Sequence, residues 1–217
     1  IELMDNTTIR TVEDYLHAGL TVEADAILLI DIDGEETTIA SQSEEIVDIC
    51  RDSGASQVQA AANPQESDQL WRARRAVSAS LARARPTKLG EDIVVPRNMI
   101  PAMVKRIQAI SRKYYLPIAI FGHAGDGNLH PNILFDIRNA DEVARVHQAS
   151  DELFAAAVEL GGTLSGEHGI GLLKMAYMNY SLQPEAIALM KQIKAAIDPN
   201  NIMNPGKMLP WGDPKAG

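Results

Sequence analysis

The stretch Phe121–Asn132, FGHAGDGNLHPN, decides the fold that this sequence predicts. At its centre, Asp126–Gly127 is a strong signal for a two-residue β-hairpin, because a tight primed turn needs residues that tolerate positive φ. Apolar runs at Pro117–Phe121 and Leu129–Phe135 flank this turn and indicate two adjacent strands. The hairpin therefore favours a sheet that contains antiparallel pairs.

Helical and strand patterns alternate on both sides of this hairpin. Apolar spacing and end signals predict helices over Ser41–Ser53, Pro64–Ala84, Asn98–Tyr115, Ala140–Leu160 and Pro184–Ile197, and strands over Ala26–Asp33, Ser56–Asn63 and Leu89–Val95. We predict the α+β class, an antiparallel sheet covered by helices, with a helical segment near the C-terminus. A parallel doubly wound sheet is the rival, because strands and helices alternate.

Composition excludes several classes of protein. The 217 residues include 20 Lys+Arg and 29 Asp+Glu, a formal net charge of −9, which argues against a nucleic-acid partner. No run of 18 apolar residues predicts a transmembrane segment. The single cysteine, Cys50, excludes a disulfide framework and a cysteine zinc site. It fits a reducing compartment, so we expect a cytoplasmic protein.

Two histidines flank the predicted turn. With the turn centred on Asp126–Gly127, His123 lies directly opposite His130, close enough for both imidazoles to bind one metal ion. Asn132 lies on the same face as His130, since side chains alternate along a strand, and could contact a bound ligand. The alternative is a pair of hydrogen-bonded histidines on an ordinary hairpin.

A second segment, Gly161–Gly171, reads GGTLSGEHGIG and has five glycines in eleven residues. Glu167, added to two imidazoles, makes a three-ligand set with an open position, typical of a catalytic divalent-metal site. Such nitrogen and oxygen ligands admit Zn, Mn, Fe or Co. His168 is a candidate proton acceptor because imidazole titrates near neutrality. The alternative is a helix C-cap followed by a solvated turn.

A cationic helix supplies candidate anion ligands. Arg74 and Ser78 lie one helical turn apart, and Lys88 follows just before the strand that starts at Leu89. An arginine can bind a carboxylate through two parallel hydrogen bonds, to which a hydroxyl adds a third. These residues could hold an anionic substrate beside the metal; the alternative is a solvated charged face.

Three motifs together resemble a known family. FGHAGDGNLHPNI (121–133), GGTLSGEHGIGLLK (161–174) and IDPNNIMNPGKML (197–209) resemble the C-terminal part of FAD-linked oxidases of the vanillyl-alcohol oxidase type. The resemblance is strongest to the glycolate oxidase FAD-linked subunit and to D-lactate and D-2-hydroxyglutarate dehydrogenases. It implies a ferredoxin-like antiparallel sheet. It also implies that residues 1–217 are the substrate-binding C-terminal domain, without the family's N-terminal FAD-binding domain.

The resemblance implies roles for individual residues. His123, His130 and Glu167 match the divalent-metal ligands of metal-dependent members, and His168 matches the base that takes the substrate hydroxyl proton. Contacts with an anionic substrate are implied for Arg74, Ser78, Lys88 and Asn132. Asn204, in the terminal NPGK motif, matches a tail that approaches the flavin. Ser78 stands where some relatives carry Thr.

The implied activity is the oxidation of a D-2-hydroxy acid to the 2-oxo acid by hydride transfer to FAD. The implied partners are the small anionic substrate, the chain's own FAD-binding domain and sister oxidase subunits, through which the protein could be peripheral to a membrane. We expect the isolated chain to be inactive, because it lacks the hydride acceptor. Two alternatives are a metal-dependent hydrolase with a His₂Glu centre and a metal-free interaction module of an oxidase complex.

Overall fold

The structure, a computed structural model, describes residues 1–207 and 209. The strands are β1 (Glu2–Asp5), β2 (Ala26–Leu29), β3 (Thr87–Gly90), β4 (Ile93–Val94), β5 (Ile118–His123) and β6 (Asn128–Phe135). The α-helices are α1 (Asn6–Leu16), α2 (Glu36–Asp52), α3 (Pro64–Ala84), α4 (Ile100–Tyr114), α5 (Ala140–Glu159), α6 (Gly171–Lys174), α7 (Met178–Ser181) and α8 (Pro184–Ile197). Met208 of the terminal motif and residues 210–217 of the predicted domain lie outside the described residues.

All described strands pair antiparallel, in the order β2-β1-β5-β6-β3, with β4 also beside β6. β6 lies inside the sheet, with β5 on one side and β3 and β4 on the other, and every residue of it is buried. The predicted α+β class with an antiparallel sheet is confirmed. The rival parallel sheet is wrong for the described strands, since the hairpin imposes antiparallel pairing at the centre.

Helices cover both faces of the sheet. On one face α4 and α5 enclose a core that contains Ile107, Phe154 and the sheet residue Ile120. On the other face α1 and α3 pack Val77 and other apolar residues against Ala119. Because successive residues of β5 point to opposite faces, this strand contributes side chains to both cores. The side chains of Phe121, His123, His130 and Asn132 share the face covered by α1 and α3.

Local sequence signals predicted the bounds of two helices correctly at one or both ends. Helix α3 begins at Pro64, as predicted, because the Asn63 side chain accepts a hydrogen bond from the backbone N–H of Glu66. Helix α8 also has the predicted bounds. By contrast, the sequence analysis predicted neither β1 nor α1, at the start of the chain.

Two strand predictions need correction. Residues Ser56–Asn63 form no strand; they lie mostly exposed between α2 and α3, so their alanines bury no face against the sheet. The predicted strand Leu89–Val95 is interrupted: β3 ends at Gly90 and β4 begins at Ile93. The two residues between these strands are Glu91 and Asp92, and both acidic side chains are buried.

Candidate functional site

The β5–β6 hairpin has a wider turn than the sequence predicts. His123 pairs with Asn128, and Phe121 pairs with His130, so the expected direct pairing of His123 with His130 is wrong. The turn therefore comprises Ala124–Gly127. Gly127, with φ of 76°, lies so close to the Val95 carbonyl that a Cβ there would be 2.0 Å from its oxygen. An even shift of register keeps side chains on their face. The two imidazoles therefore remain neighbours, with ring centroids 5.4 Å apart.

Glu167 brings the two halves of the site together. Its Oε1 lies 3.0 Å from Nε2 of His130 and 3.6 Å from Nε2 of His123. One ligand atom from each of these three residues lies within 4.8 Å of the others. The same Oε1 is 3.8 Å from Nε2 of His168. The structure thus gathers residues from two distant segments into one potential metal site with a histidine beside it.

His130 is the most enclosed member of this cluster. Its side chain is 7% exposed, and its ring stacks on that of His168 at a centroid distance of 5.2 Å. Burial lowers the pKa of His130, against the opposing attraction of Glu167 and Asp92. Burial thus favours the neutral imidazole, the form that binds a metal ion.

A single buried carboxylate holds the loop that carries Glu167 and His168. Oδ2 of Asp92 accepts hydrogen bonds from the Ser165 hydroxyl at 2.6 Å and from the backbone N–H groups of Gly166, Glu167 and His168 at 2.9–3.1 Å. Burial by itself raises the pKa of Asp92, yet these four hydrogen bonds outweigh it and the net shift is downward. Asp92 thus stays ionised and fixes the direction of the loop.

Two further contacts press this loop onto the sheet. The buried Lys174 ammonium donates to the carbonyl oxygens of Asp92 and Leu164, at 2.6 and 2.8 Å. Gly166 lies so near β6 that a Cβ would come within 1.9 Å of the Asn128 amide nitrogen. Only glycine fits there without displacement of the loop.

Cationic side chains border the same cleft. Arg74, Lys88 and Asn132 line it together with the imidazoles and Glu167. Nε and Nη2 of Arg74 both lie 2.8 Å from Oε2 of Glu2, so this guanidinium already has an acidic partner. Lys88 donates to the Ser78 hydroxyl at 2.9 Å, which places Ser78 behind Lys88. The amide of Asn132 donates to the His130 carbonyl at 2.9 Å.

Asn204 is separate from this group. It lies exposed in the segment after α8, with φ of 48°, and is not among the described residues that line the cleft. This segment is held by Asp198, which accepts from the backbone N–H groups of Ile202 and Met203 at 3.0 and 2.9 Å. The approach of Asn204 to a flavin stays a prediction.

Sequence reasoning missed four residues of the site region. They are Glu2, Glu91, Asp92 and Lys174. The acidic pair Glu91–Asp92 inside an apolar strand pattern was a usable signal, because buried acids need partners. Glu2 and Lys174 gave no local signal, since their partners lie far away in sequence.

Comparisons with known proteins agree with this architecture. Residues 1–208 match the family model described as FAD linked oxidases, C-terminal domain, so the chain belongs to that family. The chain is 49% identical over 208 residues to glycolate oxidase subunit GlcD of Bacillus subtilis, covering 96% of this chain and 44% of that protein. It is 35% identical to the probable mitochondrial D-lactate dehydrogenase of Danio rerio, covering 96% and 42%. The chain thus spans less than half the length of these relatives.

A solved structure shares the fold. The 4-ethylphenol oxidase from Gulosibacter chungangensis superposes with a TM-score of 0.65 at 15% identity, covering 97% of this chain and 47% of that one. At this identity the likeness concerns the fold alone. Among the residues that the structure describes, no helix combines the length and apolarity needed to cross a membrane.

Proposed function

We propose that this chain is the metal- and substrate-binding part of a flavin-dependent enzyme that oxidises a D-2-hydroxy acid to the 2-oxo acid. The observation that carries the proposal is the convergence of His123, His130 and Glu167 beside His168. Family membership supports the flavin, and relatives named glycolate oxidase and D-lactate dehydrogenase support the substrate class. Because the chain is less than half of those relatives, activity belongs to a protein that also has an FAD-binding domain.

The donor set fits a divalent transition metal. Two imidazole nitrogens and one carboxylate oxygen suit Zn, Mn, Fe or Co, whereas Ca and Mg prefer all-oxygen ligands. His123, His130 and Glu167 would hold the ion, and three protein ligands leave positions open for substrate. When bound, the ion supplies Lewis acidity that lowers the pKa of a coordinated hydroxyl group.

Cationic residues would orient the substrate carboxylate. Lys88 and Arg74 border the cleft, and Asn132 adds an amide to the same lining. The Arg74 guanidinium also lies 4.8 Å from the centroid of the Phe121 ring, which limits its rotation. Holding a substrate in a reactive orientation can lower the barrier by about 7–11 kcal/mol.

His168 is the proposed proton acceptor. Its side chain is 55% exposed, and its Nε2 lies 3.8 Å from the Glu167 oxygen that would bind the ion. A hydroxyl group bound at that ion would come within reach of this nitrogen. His168 would take the hydroxyl proton, and FAD, held by a separate domain, would accept the hydride from the carbon that bears this hydroxyl group.

Other expectations follow from the same proposal. Residues 1–217 alone should show no turnover, because in this proposal FAD, the hydride acceptor, is held by a separate domain. Association with further oxidase subunits and a cytoplasmic location, with membrane attachment only through a complex, stay predictions. The approach of Asn204 to the flavin belongs with them.

Metal binding is the first test. Zn²⁺, Mn²⁺, Fe²⁺ and Co²⁺ are titrated into the metal-stripped chain, with Glu167→Gln as the variant and the exposed Glu23→Gln as the control. We expect one ion per chain for the wild type and the control, and much weaker binding for Glu167→Gln. Equal binding by all three proteins would contradict the metal site.

Turnover is the second test and separates the alternatives. The chain joined to its FAD-binding domain is assayed with glycolate, D-lactate and D-2-hydroxyglutarate. Flavin reduction by one of these acids is the expected result. Ester or amide hydrolysis by the metal-loaded chain without flavin would favour the hydrolase. Tight partner binding without metal uptake would favour the interaction module.

A further inference from the structure

Glu2 enters the site from the first strand of the chain. Strand β1 pairs antiparallel with β5, and this register places Glu2 opposite His123. The Glu2 side chain is only 13% exposed. A nearly buried carboxylate needs partners, because burial removes the water that would otherwise solvate its charge.

The two oxygens of Glu2 serve two different partners. Oε1 lies 2.5 Å from Nδ1 of His123. Oε2 accepts from Nε of Arg74 at 2.8 Å, and Nη2 of Arg74 lies at the same distance. One carboxylate therefore links a candidate metal ligand with a candidate substrate-binding cation.

We propose that Glu2 is the positioning residue of this site, orienting His123 towards the metal and Arg74 towards the substrate carboxylate. The inference rests on the proposed function. A neutral imidazole that donates Nδ1–H to a carboxylate presents its Nε2 lone pair on the opposite side. In His123 that Nε2 faces Glu167 at 3.6 Å.

His123 needs such a partner more than His130 does. The His123 side chain is 35% exposed and lies at the end of β5, next to the turn. His130 is 7% exposed, and the rings of Phe121 and His168 pack against it. Packing thus holds His130, whereas a hydrogen bond to Glu2 holds His123.

The test compares Glu2→Met and Glu2→Gln in the full 217-residue chain, with Glu23→Met as the matched exposed control. Methionine preserves the size of the side chain and removes both hydrogen bonds. Glutamine preserves one acceptor oxygen for His123, but its amide nitrogen would face the Arg74 guanidinium. Zn²⁺ affinity by chelator competition, D-lactate affinity of the Zn²⁺-loaded chain, and the His123 tautomer by ¹⁵N NMR are measured.

We expect Glu2→Met to weaken Zn²⁺ binding about 10–100-fold, as loss of a ligand-orienting group does. It should also move the His123 proton partly to Nε2 in the metal-free chain. Glu2→Gln should keep the Nδ1–H tautomer and near wild-type Zn²⁺ affinity, while D-lactate affinity falls about fivefold, the effect of one lost hydrogen bond. A merely structural role of Glu2 would leave the tautomer unchanged.

Failure of this inference is distinguishable from failure of the proposed function. If the wild type binds no Zn²⁺, the metal site is wrong, and the tautomer measurement still decides whether Glu2 orients His123. If the wild type binds Zn²⁺ and Glu2→Met matches it within threefold with an unchanged tautomer, the positioning role is wrong. Should Glu2→Met unfold, unchanged D-lactate affinity in Glu2→Gln would overturn the proposal.

Discussion

The site has a half built on the sheet and a half built on a loop, and the two are held by different forces. His123, His130 and Asn132 come from β5 and β6, whose backbones are paired along their lengths. Glu167 and His168 come from the glycine-rich loop, and their side chains are about half exposed, at 49% and 55%. The loop's direction depends largely on one buried group, Asp92.

This difference suits the two tasks proposed for the site. A metal ion binds most tightly to ligands held in place beforehand, and the strands supply two of the three proposed ligands, whereas Glu167 comes from the loop. A proton acceptor must meet substrate, so it belongs on an exposed segment near the entrance. Because one buried group holds the loop whereas many backbone hydrogen bonds hold the strands, single substitutions should disturb the loop half more than the sheet half. Four predictions test that expectation.

His168→Ala should have the largest effect, and only on the rate. In a longer protein that carries the proposed FAD-binding domain we expect turnover to fall about 10²–10⁴-fold, because a positioned general base is lost. Zn²⁺ affinity and the unfolding temperature should not change, since this side chain is half exposed and is not a proposed ligand. Turnover within threefold of wild type would rule out His168 as the base.

Asp92→Ala should release the loop and leave the sheet half formed. We expect the free energy of unfolding to fall by about 3–5 kcal/mol, because four hydrogen bonds vanish and the buried Lys174 charge loses its nearest carboxylate. Denaturant unfolding measures this loss, with the exposed Asp14→Ala as the control.

Hydrogen exchange shows where the same substitution acts. Residues 163–171 should exchange faster in Asp92→Ala, while β5 and β6 keep their protection. An equal increase of the exchange rate in β6 would mean that the loop half and the sheet half do not open independently.

Gly166→Ala tests the close approach of the loop to the sheet. A Cβ at Gly166 would collide with Asn128 and with Val94, so we expect a loss of about 1–3 kcal/mol and weaker Zn²⁺ binding. Gly125→Ala in the hairpin turn is the matched control, because its Cβ would meet neighbours only at 3.7 Å or more. Similar stability losses from the two alanines would contradict the packing argument.

Ser165→Ala should have the smallest effect. It removes one of the hydrogen bonds to Asp92 and the bond that the Ser165 hydroxyl accepts from Gly169 N–H. We expect a loss of about 1 kcal/mol, the usual contribution of one hydrogen bond, because the exposed Gly169 N–H can bond to water instead, and we expect unchanged Zn²⁺ affinity. Thermal unfolding against Ser56→Ala, in an exposed segment, provides the comparison. A loss as large as that of Asp92→Ala would show that the backbone N–H bonds contribute little.

Local sequence determined much of this protein. The Asp126–Gly127 signal was enough to place a hairpin and hence an antiparallel pair, although the turn is wider than expected. Pro64 after the capping Asn63 was enough to place the start of α3. The imidazoles, the carboxylate and their short motifs identified the candidate ligands, because these residue types carry the chemistry wherever they stand. All of these signals act over a few residues.

Tertiary structure decided what depends on distant partners. The hairpin turn comprises four residues rather than two, and residues 56–63 pair with no described strand. Glu2 meets His123 across 121 residues of sequence, and Asp92 meets His168 across 76. The sequence was enough to identify the side chains that can bind a metal ion. Which carboxylates orient those side chains depends on the fold, because it depends on which strands become neighbours.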